Sequence, residues 1–226
     1  MADSLMIDLA GEPMRLMADR AMFWPAEAVL FIADLHLGKG EALRRGGIAV
    51  PRGGTEHDLR RLQTLLDDSG ARELCVLGDF LHGAVEGGAW QQTWIAWRTH
   101  NEGLPISVIA GNHDRQLRRR AADWHLDLRQ EGHPRGPFHL SHLPRPASTH
   151  VLAGHLHPRV RFPGLQGRWP AFLLRPGVTV LPAFSLFTGG TDATPRTDER
   201  CVACLGGLLA ELPARIPGSA PSRRRG

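Results

Sequence analysis

The chain has 226 residues, enough for one large domain with a substantial buried core. Hydrophobic residues make up 42% of the sequence and charged residues 22%, which excludes disorder of the whole chain. The net charge is +4, but residues 213–226 contain four arginines and no acidic residue, so residues 1–212 balance to zero. Basic character alone therefore does not indicate nucleic-acid binding. We predict a single domain over residues 1–212 and a basic, disordered tail over 213–226.

The cysteines and the apolar runs limit the other classes of protein. Three cysteines exclude a disulfide framework, and Cys201-x-x-Cys204 lacks the second pair of ligands that a structural zinc site needs. The first residues do not show a basic segment followed by an apolar one, and no apolar run approaches the ~20 residues that cross a bilayer. We expect a cytoplasmic protein with reduced thiols and no membrane partner.

The first predicted strand that ends in polar residues follows the N-terminal region. Residues 5–24 predict a pair of strands, because Leu5, Ile7 and Leu9 alternate with polar neighbours. The run 28–33 has no alternation, as expected for a strand that is covered on both faces, and it ends at Asp34-Leu35-His36.

The same pattern recurs twice, with predicted helices between the strands. Thr55 is expected to cap an amphipathic helix that ends near Gly70. The buried strand 74–77 leads into Gly78-Asp79, and the strand 106–110 leads into Gly111-Asn112-His113-Asp114. Between them, Trp90, Trp94 and Trp97 have helical spacing. We interpret them as core packed on the sheet rather than as a platform for nucleic-acid bases.

The rest of the chain adds two histidine-bearing strand ends. The sequence beyond Arg115 is basic and then rich in Gly and Pro, which predicts a loop as far as residue 137. A strand at 138–140 is followed by His142, and a strand at 150–153 is followed by His155 and His157. The remaining predictions are strands at 171–174 and 178–181, a loop at 191–200, and a last strand or helix at 202–212.

Polar side chains at the carboxyl ends of strands gather at one edge of an open α/β sheet. Here they comprise seven oxygen and nitrogen donors: Asp34, His36, Asp79, Asn112, His142, His155 and His157. Seven donors are too many for one tetrahedral zinc site but suit two divalent ions that share a carboxylate. Two ions ~3.5–4 Å apart can hold a hydroxide nucleophile and clamp phosphoryl oxygens. The set therefore predicts hydrolysis of a phosphate ester.

Each motif alone has a simpler interpretation. Gly, Asn and Asp are residues that turns prefer, and pairs of histidines in loops are often only solvent-exposed. The metal site is favoured because five such motifs occur in order, each at a predicted strand end.

Together the motifs resemble those of the calcineurin-like metallophosphoesterases over residues 28–158. The matching motifs are Asp34-x-His36, Gly78-Asp79, Gly111-Asn112-His113-Asp114, His142 and Gly154-His155-x-His157. This resemblance implies a four-layer α/β/β/α sandwich with a dinuclear metal site at the carboxyl ends of the strands. It also implies that one ion is held by Asp34, His36, Asp79 and His157, and the other by Asp79, Asn112, His142 and His155.

The resemblance further implies roles for residues near the metals. His113 would face the phosphate and either stabilise the transition state or protonate the leaving alkoxide, and Asp114 would orient His113 and keep it charged. Lys39 and Arg115 are candidate contacts to the substrate phosphates. The family typically uses Mn²⁺, with Mg²⁺, Fe or Zn²⁺ as alternatives.

More narrowly, several segments resemble the bacterial ligase-associated DNA-damage-response endonucleases. They are Asp34 to Lys39, Ser141-His142-x-Pro144, Gly154 to Pro158, and the run from Pro182 to Gly190. This likeness implies a phosphodiesterase that acts on DNA in repair, alongside a ligase and a helicase.

Other functions on the same fold stay open or are disfavoured. Hydrolysis of a small nucleotide or another small phosphoester is the main alternative, because the motifs fix the bond type and not the substrate. An inactive binding scaffold is the minor alternative. Protein phosphatases of this family carry an arginine shortly after Gly-Asp and a glutamate after Asn-His, unlike this chain. Purple acid phosphatases need a tyrosine ligand, and the sequence contains no tyrosine.

Overall fold

The first half of the chain builds one β-sheet in the computed structural model, which describes residues 2–83 and 88–212. Its strands lie side by side in sequence order: β1 Ser4–Leu9, β2 Glu12–Met17, β3 Ala21–Trp24, β4 Val29–Ile32, β5 Glu73–Leu77, β6 Ile106–Ile109 and β7 Leu126–Arg129. Neighbours from β1 to β4 are antiparallel, and neighbours from β4 to β7 are parallel. The parallel half therefore brings the carboxyl ends of β4, β5 and β6 to one edge.

The helices lie in this first half of the chain. They are α1 Lys39–Arg45, α2 Gly54–Ser69, α3 Ala89–His100 and a 3₁₀ helix, Asp114–Arg119. Leucines of α2 and the buried Trp90 and Trp94 of α3 pack against the outer face of the first sheet, as predicted for a tryptophan core. Thr55 does not cap α2. The helix begins one residue earlier, its N-cap is Gly53 with φ 82°, and no side chain there bonds to the main chain.

The second half of the chain forms a mixed sheet whose strand order is β15-β14-β12-β13-β10-β9-β8, with β11 paired to β12. The strands are β8 His133–Arg135, β9 Phe138–Leu140, β10 His150–Ala153, β11 Arg159–Val160, β12 Trp169–Arg175, β13 Val178–Val180, β14 Arg200–Cys204 and β15 Leu209–Glu211. β9, β10 and β13 run parallel, so the loops after β9 and β10 leave from the same edge.

The inner faces of the two sheets pack against each other around a shared core. Phe31 and Leu77 of the first sheet and Leu152 and Phe172 of the second are fully buried there. Each side chain of this size contributes roughly 1.5–3 kcal/mol on burial. The predicted α/β sandwich is confirmed. Within the described ranges, the outer face of the second sheet is covered by β11 and by loop residues such as Leu156 and Phe162. No helix of the described residues covers that face, so the second helical layer of the predicted α/β/β/α arrangement is not found there.

Several predicted segments need correction. Residues 4–24 form three strands rather than two, because a turn at residues 18–20 separates β2 from β3. The expected loop after Arg115 contains most of the 3₁₀ helix, β7 and β8; β7 alternates apolar and polar residues over only four positions and β8 has three polar or turn-forming residues, so neither strand stood out from the flanking sequence. The last apolar segment forms two antiparallel strands, β14 and β15. The single domain remains a prediction, and the predicted tail at 213–226 lies outside the described residues.

The cysteines are core residues. Cys201 and Cys204 are three positions apart on β14, so their side chains point to opposite faces of the sheet and enter different core clusters. Burial raises the pKa of the Cys204 thiol to about 12. Cys75 is fully buried in β5, as expected. In the described part of the chain, no helix has the length and apolar character needed to span a membrane.

Candidate metal centre

Strand ends from both sheets meet at one edge of the sandwich. The first sheet supplies Asp34 and His36 after β4, Asp79 after β5, and Asn112 after β6. The second sheet supplies His142 after β9, with His155 and His157 after β10. All seven donors predicted from the sequence therefore come from loops that leave this edge.

Four of these side chains form a compact group, defined here as the first group: Asp34, His36, Asp79 and His157. One ligand atom from each lies within 4.8 Å of the others. The Nε2 atom of His157 is 3.3 Å from Oδ1 of Asp34, and Nε2 of His36 is 3.9 Å from Oδ2 of Asp79. Both nitrogens of His36 and the Nε2 atom of His157 are buried without a hydrogen-bond partner. Because an unpaired buried polar atom costs about 1–3 kcal/mol, these nitrogens fit a site for a divalent cation.

The remaining predicted ligands are Asn112, His142 and His155. Together with Asp79 they are defined here as the second group, with His142 at its centre. The Nε2 atom of His142 lies 2.9 Å from Oδ1 of Asn112 and 3.0 Å from Nδ1 of His155. The same atom is 3.6 Å from Oδ1 of Asp79. Asp79 therefore lies between the two groups, with Oδ2 toward His36 and Oδ1 toward His142.

Two of the imidazoles, those of His36 and His155, are held toward the neutral state that metal binding requires. Burial, reinforced by Lys39 and His157, holds the pKa of His36 far below its usual range. Burial also lowers the pKa of His155. A neutral imidazole has a free lone pair, so these side chains can bind a cation without first losing a proton.

The backbone is strained at the same residues. Five of the seven predicted ligands have a left-handed backbone, with φ between 45° and 69°: Asp34, His36, Asp79, His155 and His157. Residues other than glycine rarely adopt this conformation, and it costs of order 1–3 kcal/mol each. Its concentration here indicates that the loops are shaped for ligand placement rather than for local stability.

The motif glycines make room for ligands from neighbouring strands. A Cβ atom on Gly111 would lie 2.4 Å from Oδ1 of Asp79, and one on Gly154 would lie 2.7 Å from Oδ2 of Asp34. These distances are too short for any side chain. Glycines therefore precede Asn112 and His155 because another ligand occupies the adjacent space.

His113 is next to the metal groups but open to solvent. Its side chain is 43% exposed, its main-chain N–H donates to Oδ1 of Asp79 over 3.0 Å, and its Nε2 atom is 3.9 Å from Oδ2. The ring of His82 stacks on His113, with centroids 5.3 Å apart, and meets His36 edge-on at 5.2 Å. Burial, with Lys39 and His113 nearby, lowers the pKa of His82 to about 4. His82 was not among the predicted site residues, although it stands three residues after Asp79 in the sequence.

Asp114 connects the loops after β5 and β6 through its side chain. Its carboxylate is buried and accepts main-chain N–H groups of Phe80 at 3.1 Å, Leu81 at 2.8 Å and Gly111 at 2.9 Å. These bonds tie the loop after β5 to the loop after β6. Asp114 thus fixes the main chain around Asp79 and Asn112, while the expectation that it orients the imidazole of His113 stays a prediction.

The two predicted substrate contacts differ in their surroundings. Arg115 is exposed at the start of the 3₁₀ helix. Lys39 is partly buried, its Nζ atom donates to Oγ1 of Thr188 over 3.2 Å, and burial lowers its pKa against the opposing effect of Asp34 and Asp79. Lys39 therefore interacts electrostatically with the carboxylates of Asp34 and Asp79, but its ammonium group also has a hydrogen-bond partner in Thr188.

Residues 183–191, which overlap the run noted in the sequence, brace the first group. The Phe184 N–H donates to the carbonyl of Ala33, and the Ser185 N–H donates to the carbonyl of Asp34. Farther along, the Thr191 hydroxyl donates to the carbonyl of Leu156, beside His157. The segment therefore links the loops after β4 and β10.

The two-sheet α/β sandwich with this cluster of acids and histidines defines a metallophosphoesterase. Residues 28–159 match the family model for calcineurin-like phosphoesterase, and the chain belongs to that family. The solved structure of the nuclease MPE from Pseudomonas putida is similar, with a TM-score of 0.82 and 35% identity over 92% of this chain and 100% of that chain. Yfce, a phosphoesterase from E. coli, has a TM-score of 0.46 and 17% identity over 83% of this chain and 99% of that one. No curated protein sequence matches the chain.

Proposed function

We propose that this metal-dependent phosphoesterase is a two-metal phosphodiesterase that cuts DNA internally during repair. The observation that carries the proposal is the position of Asp79, whose Oδ2 atom faces His36 at 3.9 Å and whose Oδ1 atom faces His142 at 3.6 Å. One carboxylate between two sets of oxygen and nitrogen donors is what a pair of ions with a shared ligand requires. Mn²⁺ is the proposed metal, with Mg²⁺, Fe and Zn²⁺ as alternatives, because mixed oxygen and nitrogen donors suit all of them.

The residues divide the work of phosphodiester hydrolysis between them. Bound divalent ions supply activation of water and neutralise charge on the phosphate. The carboxylates, the Asn112 amide and the histidines hold these ions at the sheet edge. The exposed imidazole of His113 donates a proton to the leaving oxygen, since an imidazole exchanges protons near neutral pH. Asp114 acts at a distance by fixing the loops that carry Asp79 and Asn112.

Two observations support DNA as the substrate. The Pseudomonas putida protein that is 35% identical to this chain is described as a nuclease. Lys39, whose pKa is lowered by burial against the opposing effect of the nearby Asp34 and Asp79, and the exposed Arg115, next to Asp114, are the proposed contacts to the substrate phosphates. Action alongside a ligase and a helicase is proposed from the sequence resemblance alone.

The test compares substrates at fixed metal loading. Protein stripped with a chelator is reloaded with each metal and assayed on an aryl phosphodiester, the matching monoester, circular single-stranded DNA and plasmid DNA. We expect Mn²⁺ to support cleavage of the diester and of circular DNA, with little activity on the monoester. Preference for the monoester or a mononucleotide would favour the small-phosphoester alternative, and inactivity with every metal and substrate would favour a scaffold.

One variant distinguishes the activity of this protein from that of a contaminating nuclease. His113→Ala removes the proposed proton donor and leaves the seven metal donors in place, so DNA cleavage should fall while metal content is retained. Cleavage that persists at the wild-type rate in this variant would come from another protein or from a mechanism without His113.

A further inference from the structure

Glu131 is an exposed residue in the loop between β7 and β8, outside every motif noted in the sequence, yet its carboxylate accepts several hydrogen bonds from one neighbouring loop. Its Oε2 atom accepts the hydroxyl of Ser141 in a short hydrogen bond and the main-chain N–H of His142 at 2.9 Å. Its Oε1 atom accepts the main-chain N–H of Leu143 at 3.2 Å. One carboxylate therefore accepts hydrogen bonds from three consecutive residues of the loop after β9.

The residue at the centre of this loop, His142, has no room to move. Its side chain is buried, and a Cβ atom on Gly78 would lie 1.9 Å from its Nδ1 atom, so the ring fits against a bare glycine backbone. Its carbonyl accepts the N–H of Gly154 at 3.2 Å, which couples this loop to the one that carries His155. A small shift of the main chain at residues 141–143 would therefore displace the His142 nitrogen from Asn112 and His155.

The first group has separate supports. Asp34 is connected to residues 183–185 through main-chain hydrogen bonds, and Thr191 bonds beside His157. The described contacts of Glu131 all go to residues 141–143. The loss of the Glu131 carboxylate should therefore affect one half of the centre.

We propose that Glu131 is a positioning residue for the second metal group, holding His142 in place through the main chain of residues 141–143. The inference rests on the proposed two-metal function. Groups that orient metal ligands typically contribute 10–100-fold to metal affinity, about the size of effect expected here.

The experiment measures metal binding by the whole chain rather than its activity. Apoprotein is titrated with Mn²⁺ by calorimetry, and the loaded protein is examined by electron paramagnetic resonance for the signal of two coupled Mn²⁺ ions. The variants are Glu131→Ala, Glu131→Gln and the control Glu73→Ala. Glu73 is a suitable control because its carboxylate also accepts three hydrogen bonds, from Ser107 and Arg135, at the opposite end of β5 from Asp79.

Wild-type protein should bind two ions and give the coupled signal. In Glu131→Ala, one site should weaken by about 10–100-fold, the other should change little, and the coupled signal should be lost. Glu131→Gln should stay within about threefold of wild type, since an amide oxygen can still accept from Ser141 and His142. Glu73→Ala should lower thermal stability and leave both sites intact.

Other outcomes overturn the proposal in distinguishable ways. Two intact sites in Glu131→Ala, or equal weakening of both, would contradict a selective positioning role. If Glu131→Ala does not fold, Ser141→Ala removes one of the three hydrogen bonds and should weaken the same single site to a smaller extent; no change there would also overturn the proposal. Wild-type protein that binds fewer than two ions would instead refute the two-metal function itself.

Discussion

Gly111 lies so close to Asp79 that a Cβ atom added to it would be 2.4 Å from both the main-chain nitrogen and the Oδ1 atom of Asp79. Gly111 follows β6 and Asp79 follows β5, so this close approach brings the ends of the two strands together. It occurs where the Asp79 carboxylate lies between the two metal groups. The glycine of the Gly-Asn-His-Asp motif is therefore needed for space. Its neighbour Asn112 can approach the centre only because nothing projects from Gly111.

Gly111→Ala should displace Asp79 and weaken metal binding at both groups. We expect a loss of about 1–3 kcal/mol in the free energy of unfolding, as for an extra methyl group forced into a packed site. Urea unfolding of the apoprotein and Mn²⁺ titration measure the two effects. Gly103→Ala is the matched control, because a Cβ atom there meets nothing within 4 Å. Wild-type affinity in Gly111→Ala would show that the loops relax without cost.

Asp114→Ala should lower stability as well as activity. The substitution leaves the main-chain N–H groups of Phe80, Leu81 and Gly111 without their acceptor, at about 1–3 kcal/mol for each one that stays buried and unpaired. Urea unfolding without metal checks this directly, and the exposed Asp67→Ala serves as a control. A variant with wild-type stability and a reduced turnover number would instead support the expected role in orienting His113.

The ligand set was predictable from sequence because apolar runs reveal buried strands, and strands that run parallel deliver their ends to one edge. The residues that support the ligands were not. Asp114 stands within a motif, but its partners are main-chain amides of another loop, which carry no side-chain signal. Glu131 belongs to a loop whose flanking strands β7 and β8 are too short to show periodicity.

Backbone conformation was equally hidden. The left-handed φ values of Asp34 and Asp79 could not be read from residue type, because aspartate tolerates this conformation better than most residues but still adopts it only uncommonly. His82 was visible after Gly78-Asp79, but its contact with His113 depends on how the two loops fold over each other. Sequence patterns thus pointed to the predicted ligands, whereas their backbone conformation and supporting contacts depend on tertiary packing.

Asp79→Asn and His36→Ala should differ in how many ions they disturb. Asp79 faces both groups, whereas His36 belongs to the first group alone. We expect Asp79→Asn to weaken both ions and His36→Ala to weaken one, each by at least the roughly 10–100-fold typical of lesser outer-shell changes. Metal content after dialysis and calorimetric titration provide the measurement. Equal, partial loss of both ions in the two variants would argue against a shared carboxylate.

Glu73 should give the fold an acid-sensitive component that is separate from the metal centre. Burial raises the pKa of its carboxyl, but hydrogen bonds from Arg135 and Ser107 outweigh this effect and leave the pKa below the usual 4.5. Because the folded-state pKa is depressed, the stabilisation is present at neutral pH and is lost as pH falls below about 4.5 through the folded-state value. Glu73→Gln should therefore cost about 1–2 kcal/mol at neutral pH, and the gap from wild type should close in acid. Urea unfolding of the apoprotein across this pH range measures the difference in the free energy of unfolding between the two proteins.

The control is Glu211→Gln, which breaks a similar two-bond pair with Arg200 at a more exposed position and should cost about 0–1 kcal/mol. A gap for Glu73→Gln that does not change with pH would mean that the lost contacts, rather than the charge, stabilise the fold.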